Sequence, residues 1–437
     1  MPAPAGALDF YLTAPGSVAA AGGVRGAADG SPCINEWRPQ VSTMRGIWIT
    51  GVGVVSAAGT GAPALRTLLR EQRSAVATLP LSYWSVGRCP TPPRVRAARL
   101  LDRSARLFAA AAEEAWRGAG FTDAPPDPSR CDVIEGSSLG ALGEVLPQER
   151  DRSVAGSSRA SGLRLLLGAG GADFAESHGV EGAVFHISAG SVSSAMAIIE
   201  AVARLEAGRA DVVVAGGGEC PLDETVLASF AAGGILTPSR ALGGVCRPFD
   251  LDRGGTVLGE GAGALILERA EHASRRGAAP LAVILGTGWS RESYRMTGPD
   301  PTGRGVTQAA RQAIGGLDAA KIGWIKTHGA GTRLHDAAEC EGLAALMGGD
   351  LPDTPLTSLK PALGHSLGAS AAVETVAAVL ALQDGMVPPT LNTLNPDPSL
   401  PPCTVALEPL VPREPVALLL AESFDGRCAA WTLAAAA

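Results

Sequence analysis

Residues 182–219 run GAVFHIS, then SSAMAIIEAVARLEAG, then ADVVVAGGGE. A short apolar run, an Ala-rich stretch with apolar residues at helical spacing, and a second short apolar run make a βαβ unit, which implies parallel strands. The same order returns further on. APLAVILGTGWS reads as a strand, 305–316 as a helix, KIGWIKTHGAGT as a strand ending in a polar loop, AAVETVAAVLALQDG as a helix and VALLLAESFDG as a last buried strand. Ahead of the first unit, RGIWITGVGVVSAAG is a strand with a Gly-containing turn. RSARLFAAAAEEAWRGAG is an amphipathic helix stopped by Gly, and CDVIEGSS is a strand. This recurrence predicts an α/β body with duplicated halves at 44–265 and 266–437.

Of 437 residues, 46% are hydrophobic and 18% charged, enough to bury a core of that size. Residues 141–181 show no clear period and read as a cap or a partner-contacting region. Residues 1–43, rich in Gly, Ala and Pro, read as a flexible N-terminal extension, with Met44 as the start of the fold. They lack the basic and apolar regions of a secretory signal.

Several partner classes drop out. The net charge is −7 and no basic run is long enough to track a phosphate backbone, so nucleic acid is not expected. No apolar run reaches the ~18 residues of a membrane span. The eight cysteines are scattered without a CxxC pair, which predicts no zinc site, no disulfide framework and a reducing cytoplasm. GEGAG at 259–263 lacks the spacing of a dinucleotide loop and reads as a tight turn before a buried strand. No cofactor is expected.

Three stretches carry the polar groups. FHISAGSVSSAM places Ser191 at a strand-to-helix turn, where small residues let the chain bend and present a side chain at a helix start. KTHGAGTRLHDAAE carries His328. SLKPALGHSLGASAAVE carries Lys360, His365 and Glu374. A nucleophile with two imidazoles from other loops suits acyl transfer coupled to decarboxylation, in which N–H groups stabilise a developing enolate. Each residue also has a plainer reading: Ser191 as a helix cap, the histidines as satisfied buried imidazoles, Lys360 as a solvated lysine. The other histidines, His178, His186, His272 and His335, read as structural or solvent-facing.

From Met44 onward the chain resembles the β-ketoacyl-acyl carrier protein synthases, condensing enzymes of the thiolase fold. ITGVGVVSAAG, ADVVVAGGGE, RPFDLDRGGTVLGEGAGALILE, KTHGAGT, LKPALGHSLGASAAVE and VPPTLN resemble the family's motifs in order. The resemblance implies a five-layer αβαβα fold, an acyl carrier protein as partner, and pairing as a homodimer, or as a heterodimer with another ketosynthase, across the edge near GAVFHIS. It implies that His328 and His365 are the two catalytic histidines, Lys360 the ordering lysine and Glu374 its helix carboxylate. Counting back from Gly208, Ser191 falls where the family carries cysteine, although Ser188-Ala189 is an alternative match for the preceding Thr-Ala pair. The family's glycine-rich gate loop reads here Phe424, Asp425, Gly426, Arg427, Cys428, with Gly426 in place of the gating Phe.

Three functions follow from that resemblance: acyl transfer through a serine nucleophile, a non-condensing subunit like a chain-length factor, or a malonyl decarboxylase-like relative. A cysteine-to-serine replacement in an ordinary synthase would read the same way. Retention of both histidines favours chemistry; the altered gate loop favours the non-condensing subunit or an unusual substrate.

Overall fold

The computed structural model describes residues 46–436 apart from 80–83, 94, 97–98, 123, 144–145, 147–163 and 238–244, so the expected extension at 1–43 lies outside the described residues. Ten strands carry the fold. Five belong to the first half: β1 Ile47–Ser56, β2 Cys131–Gly136, β3 Val184–Ile187, β4 Val212–Glu219 and β5 Gly261–Arg269. Five belong to the second: β6 Ala282–Arg291, β7 Trp324–Lys326, β8 Leu356–Thr357, β9 Val416–Glu422 and β10 Arg427–Ala435.

They form one hydrogen-bonded path, β3-β2-β4-β5-β1 followed by β6-β10-β9-β7-β8. Each half therefore has the same order, third, second, fourth, fifth, first, read outward-in. The halves join where Ile47, Trp48 and Ile49 of β1 pair antiparallel with Ile284, Val283 and Ala282 of β6.

The sheet is mixed. β2 runs parallel to β3 and β4, whereas β5 runs antiparallel to β4 and β1. The second half repeats this around β7, which is parallel to β8 and β9, with β10 antiparallel to β9 and β6. The parallel sheet expected from the βαβ unit is thus confined to three strands of each half. β3 and β4 also do not pair with each other; both flank β2.

Among the described residues the α-helices of ten or more residues are α1 Arg103–Gly118, α2 Ala169–His178, α3 Ser193–Glu206, α4 Arg304–Ile314, α5 Arg333–Met347 and α6 Ser370–Gln383. Side-chain alternation along the strands sorts them into layers. Val213, Ala215, Leu265 and Leu267 share a core with α3, α6 and Leu419, Ala421 and Trp431 of the other half. The opposite faces, Val212, Val214, Ala264 and Ile266, pack on α1 and α2. Leu418, Leu420 and Ala430 pack on α4 and α5. The result is five layers, helix, sheet, helix, sheet, helix, as expected for a thiolase-like body. The middle position explains why α6 is buried all round, from Ser370 through Leu382, and mostly apolar.

Two sequence expectations need correction. The division between 265 and 266 falls inside β5, a continuous buried strand, so the halves meet after Arg269. Within 141–181, residues Ala169–His178 form α2, packed against α1 through Phe174 and Trp116, whose rings meet edge-on at 5.5 Å. Its GAGGADFAESH sequence carries too few apolar residues to show a helical stripe. Among the described residues no helix is long and apolar enough to cross a membrane.

Candidate active site

Gly190, φ 62°, sets the turn between β3 and α3. A Cβ there would stand 2.3 Å from Ser423 Oγ, so the turn closes on the β9–β10 loop only with glycine. Ser193 locks the turn, donating to Gly190 O at 2.6 Å and accepting from Ala189 N at 2.9 Å. Ser191 then stands one residue before the N-cap of α3, Val192, and its side chain does not cap the helix. Its hydroxyl is buried and lies 3.2 Å from His365 Nε2.

His365 is fixed through its backbone. Its N–H donates to Val257 O at 2.7 Å, and Gly259 N–H donates to His365 O at 2.9 Å. The stretch around GEGAG thus serves as the strap that holds this histidine, while Glu260 accepts from Arg103 Nε at 2.9 Å. On the far side of the ring, His365 Nδ1 lies 3.0 Å from Ser370 Oγ.

His328 ends β7's extension, and its ring stands at 84° to that of His365 with centroids 5.3 Å apart. Its Nδ1 accepts the Glu422 N–H at 3.2 Å, which leaves the ring proton on Nε2. The His328 and Gly329 N–H groups both donate to Glu339 on α5, the latter at 2.8 Å. Burial, and next the Lys360 ammonium, holds both imidazoles well below the ordinary histidine pKa, so both rings are neutral.

Beneath them lies a charged knot. Lys360 Nζ donates to His328 O and to Glu374 Oε1, the latter at 3.1 Å. Lys326 Nζ donates to Glu374 Oε2 and, at 2.6 Å, to Leu420 O. All three side chains are buried. Burial opposes ionisation of Glu374, yet the two ammonium groups hold its carboxyl below the usual range. Lys360, expected either to order the site or to be solvated, is fully buried.

The β9–β10 connection is a tight hairpin loop. Gly426 N–H donates to Ser423 O at 2.9 Å and Ser423 N–H to Arg427 O at 2.9 Å, with Gly426 at φ 77°. Phe424 points toward Phe230 and His335, whereas Gly426 backs onto Glu292, which donates its N–H to Gly426 O at 2.7 Å. Cys428 packs in the outer core of the second half.

The fold therefore brings Ser191, His328, His365, Lys360 and Glu374 together and sets Phe424 beside them; Gly426 turns away. Sequence reading missed Lys326, Glu339, Ser370 and Glu422. Lys326 had a signal: two residues before His328 on a strand, it shares that residue's face. Glu339, Ser370 and Glu422 act through contacts that only the tertiary structure creates. His335, read as structural or solvent-facing, lines a cavity next to Phe424. Among the described residues no His, Cys, Asp or Glu cluster is arranged to hold a metal, and the cysteines described are free thiols.

The models for the β-ketoacyl synthase N-terminal domain and C-terminal domain match residues 90–273 and 281–394. Nodulation protein E of Rhizobium sp. (strain N33) is 33% identical over 383 residues, covering 85% of this chain and 93% of that protein. The chain belongs to the β-ketoacyl synthase family. A putative polyketide β-ketoacyl synthase 1 of Streptomyces cyaneus is 34% identical over 377 residues, 81% of this chain and 89% of its own. Among solved structures, the ishigamide ketosynthase/chain length factor superposes with a TM-score of 0.82 at 26% identity, over 90% of this chain and 100% of that one. A ketosynthase structure with its type II acyl-carrier protein, bound to the hexaketide, gives 0.81 at 26% identity, over 90% and 100%.

Proposed function

We propose that this β-ketoacyl synthase homologue transfers acyl chains carried as thioesters on an acyl carrier protein, with Ser191 in the nucleophile position. The observation that carries this reading is the 3.2 Å contact between Ser191 Oγ and His365 Nε2. A serine hydroxyl, unlike a thiolate, needs a base. In the tautomer that carries its proton on Nδ1 and donates it to Ser370, His365 Nε2 is free to take the Ser191 proton as the oxygen attacks the thioester carbonyl. The proton then passes to the departing thiolate, leaving an ester on Ser191 and the carrier's thiol.

In the second stage a malonyl thioester loses CO2, and the resulting enolate carbon attacks the ester carbonyl. Ser191 leaves as its alkoxide and takes up a proton from solvent, by way of His365, which restores the starting site. The His328 Nε2–H, its orientation set by the Glu422 N–H on Nδ1, stabilises the enolate oxygen. Lys360 and Glu339 hold the backbone on which His328 rides. Replacing His328 by Ala should slow malonyl decarboxylation by about 100–1,000-fold, the usual loss for one such donor.

A second reading is favoured by the gate loop. With Gly426 at φ 77° and facing Glu292, the position that holds the gating Phe in the resemblance presents no side chain to the acyl chain. That suits a subunit that shapes the pocket of a cysteine-bearing partner. The edge strand β3 would be the pairing surface; Val184 on it is 39% exposed, and Leu165, Leu166 and Leu167, in the segment leading to α2, are more than half exposed. Reconstitution with malonyl- and acyl-loaded carrier protein separates the two. Extended product from this chain alone supports the enzyme; product that appears only with a partner synthase and survives Ser191→Ala supports the subunit.

A further inference from the structure

A third imidazole stands beside the catalytic pair, at a position that no motif of the chain claims. A cavity of about 600 Å3, within the common range of small-molecule sites, is lined by Phe230, Ile235, Thr332, Leu334, His335 and Phe424 among others. It adjoins the site on two sides: Thr332 lies four residues beyond His328, and Phe424 follows Ser423, which packs on Gly190. Its single charged lining residue among those described, Arg333, and its neighbour Leu334 are exposed, which marks the open end. The interior is neutral and mostly apolar.

His335 is half tied. Thr332 Oγ1 accepts the His335 N–H at 3.3 Å and lies 3.0 Å from His335 Nδ1. The hydroxyl's own hydrogen has no other acceptor among the described residues, so the assignment that satisfies it is donation to Nδ1, which puts the ring proton on Nε2. Burial lowers the ring's pKa to about 4, which keeps it neutral. Nε2 is buried and has no hydrogen-bond partner among the described residues. The Phe424 ring stands against the imidazole at 83°, with centroids 5.4 Å apart. A buried N–H without an acceptor, on the wall of a neutral cavity that leads to the nucleophile, lacks a carbonyl.

We propose that His335 is a positioning residue for the substrate arm: when Phe424 moves off the ring, Nε2–H donates to an amide carbonyl of the pantetheine thioester that delivers the acyl chain. This rests on the reading of the chain as acting on carrier-bound thioesters.

The test is equilibrium binding of acetyl-pantetheine by calorimetry in a Ser191→Ala background, where turnover does not interfere. His335→Ala should weaken binding about tenfold, and His335→Gln, which keeps an N–H donor, should restore most of it. In the Ser191-bearing protein, His335→Ala should raise KM about tenfold and leave kcat within about twofold. If the Ser191→Ala protein binds acetyl-pantetheine and His335→Ala binds it equally well, the proposal is overturned and the functional reading stands. A uniform loss with both variants, unrescued by Gln, likewise makes His335 merely structural. If the Ser191→Ala protein does not bind the thioester at all, the functional reading falls and the proposal with it.

Discussion

Ser191 and His365, 174 positions apart in the chain, meet at 3.2 Å between Oγ and Nε2 in a buried site. Each is delivered by its own half: Ser191 by the turn before α3, His365 by the loop before α6. Those two helices form the middle layer, and the Ala372 N–H of α6 donates to Ser194 Oγ of α3 at 3.1 Å. The duplicated architecture thus sets the spacing of the proposed nucleophile and base.

The neutral imidazoles set the pH profile. Burial, with Lys360 next, holds His328 and His365 well below 6.5. Acyl transfer should therefore be flat from pH 6 to 8, and a profile of kcat/KM with an acid limb at 6.5 would contradict this electrostatic account. Stability follows the same sign. Below 6.5 the unfolded histidines bind protons that the folded ones refuse, so this contribution, present above 6.5, is lost as pH falls toward the folded pKa.

Glu374 neutralises two buried ammonium groups, Lys326 and Lys360. Glu374→Ala leaves both uncompensated and should cost about 3–5 kcal/mol in urea unfolding. Lys326→Met leaves the Lys360–Glu374 pair intact and should cost clearly less. Equal losses would show that the two lysines do not share the carboxylate as the geometry has it.

Glu135, pushed up to about 8 by burial with only the Gly171 N–H opposing, is protonated in the fold at neutral pH. Between about 4.5 and 8 the folded chain binds more protons here than the unfolded one, so this stabilisation is present at low pH and lost as pH rises through 8. Glu135→Gln keeps the acceptor and removes the titration. Its stability advantage over the parent should grow from pH 5 to 9, by a few kcal/mol in denaturant melts.

Gly426 holds φ 77°, and a Cβ there would meet Glu292 Cβ at 3.1 Å. Gly426→Ala should cost about 1–2 kcal/mol through the left-handed backbone. Gly426→Phe should destabilise at least as much and leave acyl-chain selectivity unchanged, because the side chain would face Glu292 rather than the site. A competition assay with short and long acyl thioesters checks the second point.

Much of the architecture was legible because strands and helices here keep clean periods. Val212 to Ala215 alternate between two cores, and α6 announces its central place by having apolar residues on every face. Three things were hidden. The antiparallel closing strand of each half leaves the same apolar run in sequence as a parallel one. α2 forms on a glycine-rich segment whose stability comes from packing on Trp116. In the site, Ser191, His328 and His365 stood out by residue type and motif and Lys326 shares the strand face of His328, but what these groups do depends on neighbours brought from 48 positions away, as Glu374 is to Lys326, or from the β9–β10 loop, as Phe424 is to His335.

Whether Ser191 carries the acyl chain is decided most directly by mass spectrometry of the intact protein after incubation with acyl-carrier-protein thioesters, followed by peptide mapping. The account predicts a mass increase of one acyl group, located on the peptide containing SAGSVSSAM, lost in Ser191→Ala and greatly slowed in His365→Ala, which removes the base. An unmodified Ser191 under conditions in which a partner synthase is acylated and productive would contradict it.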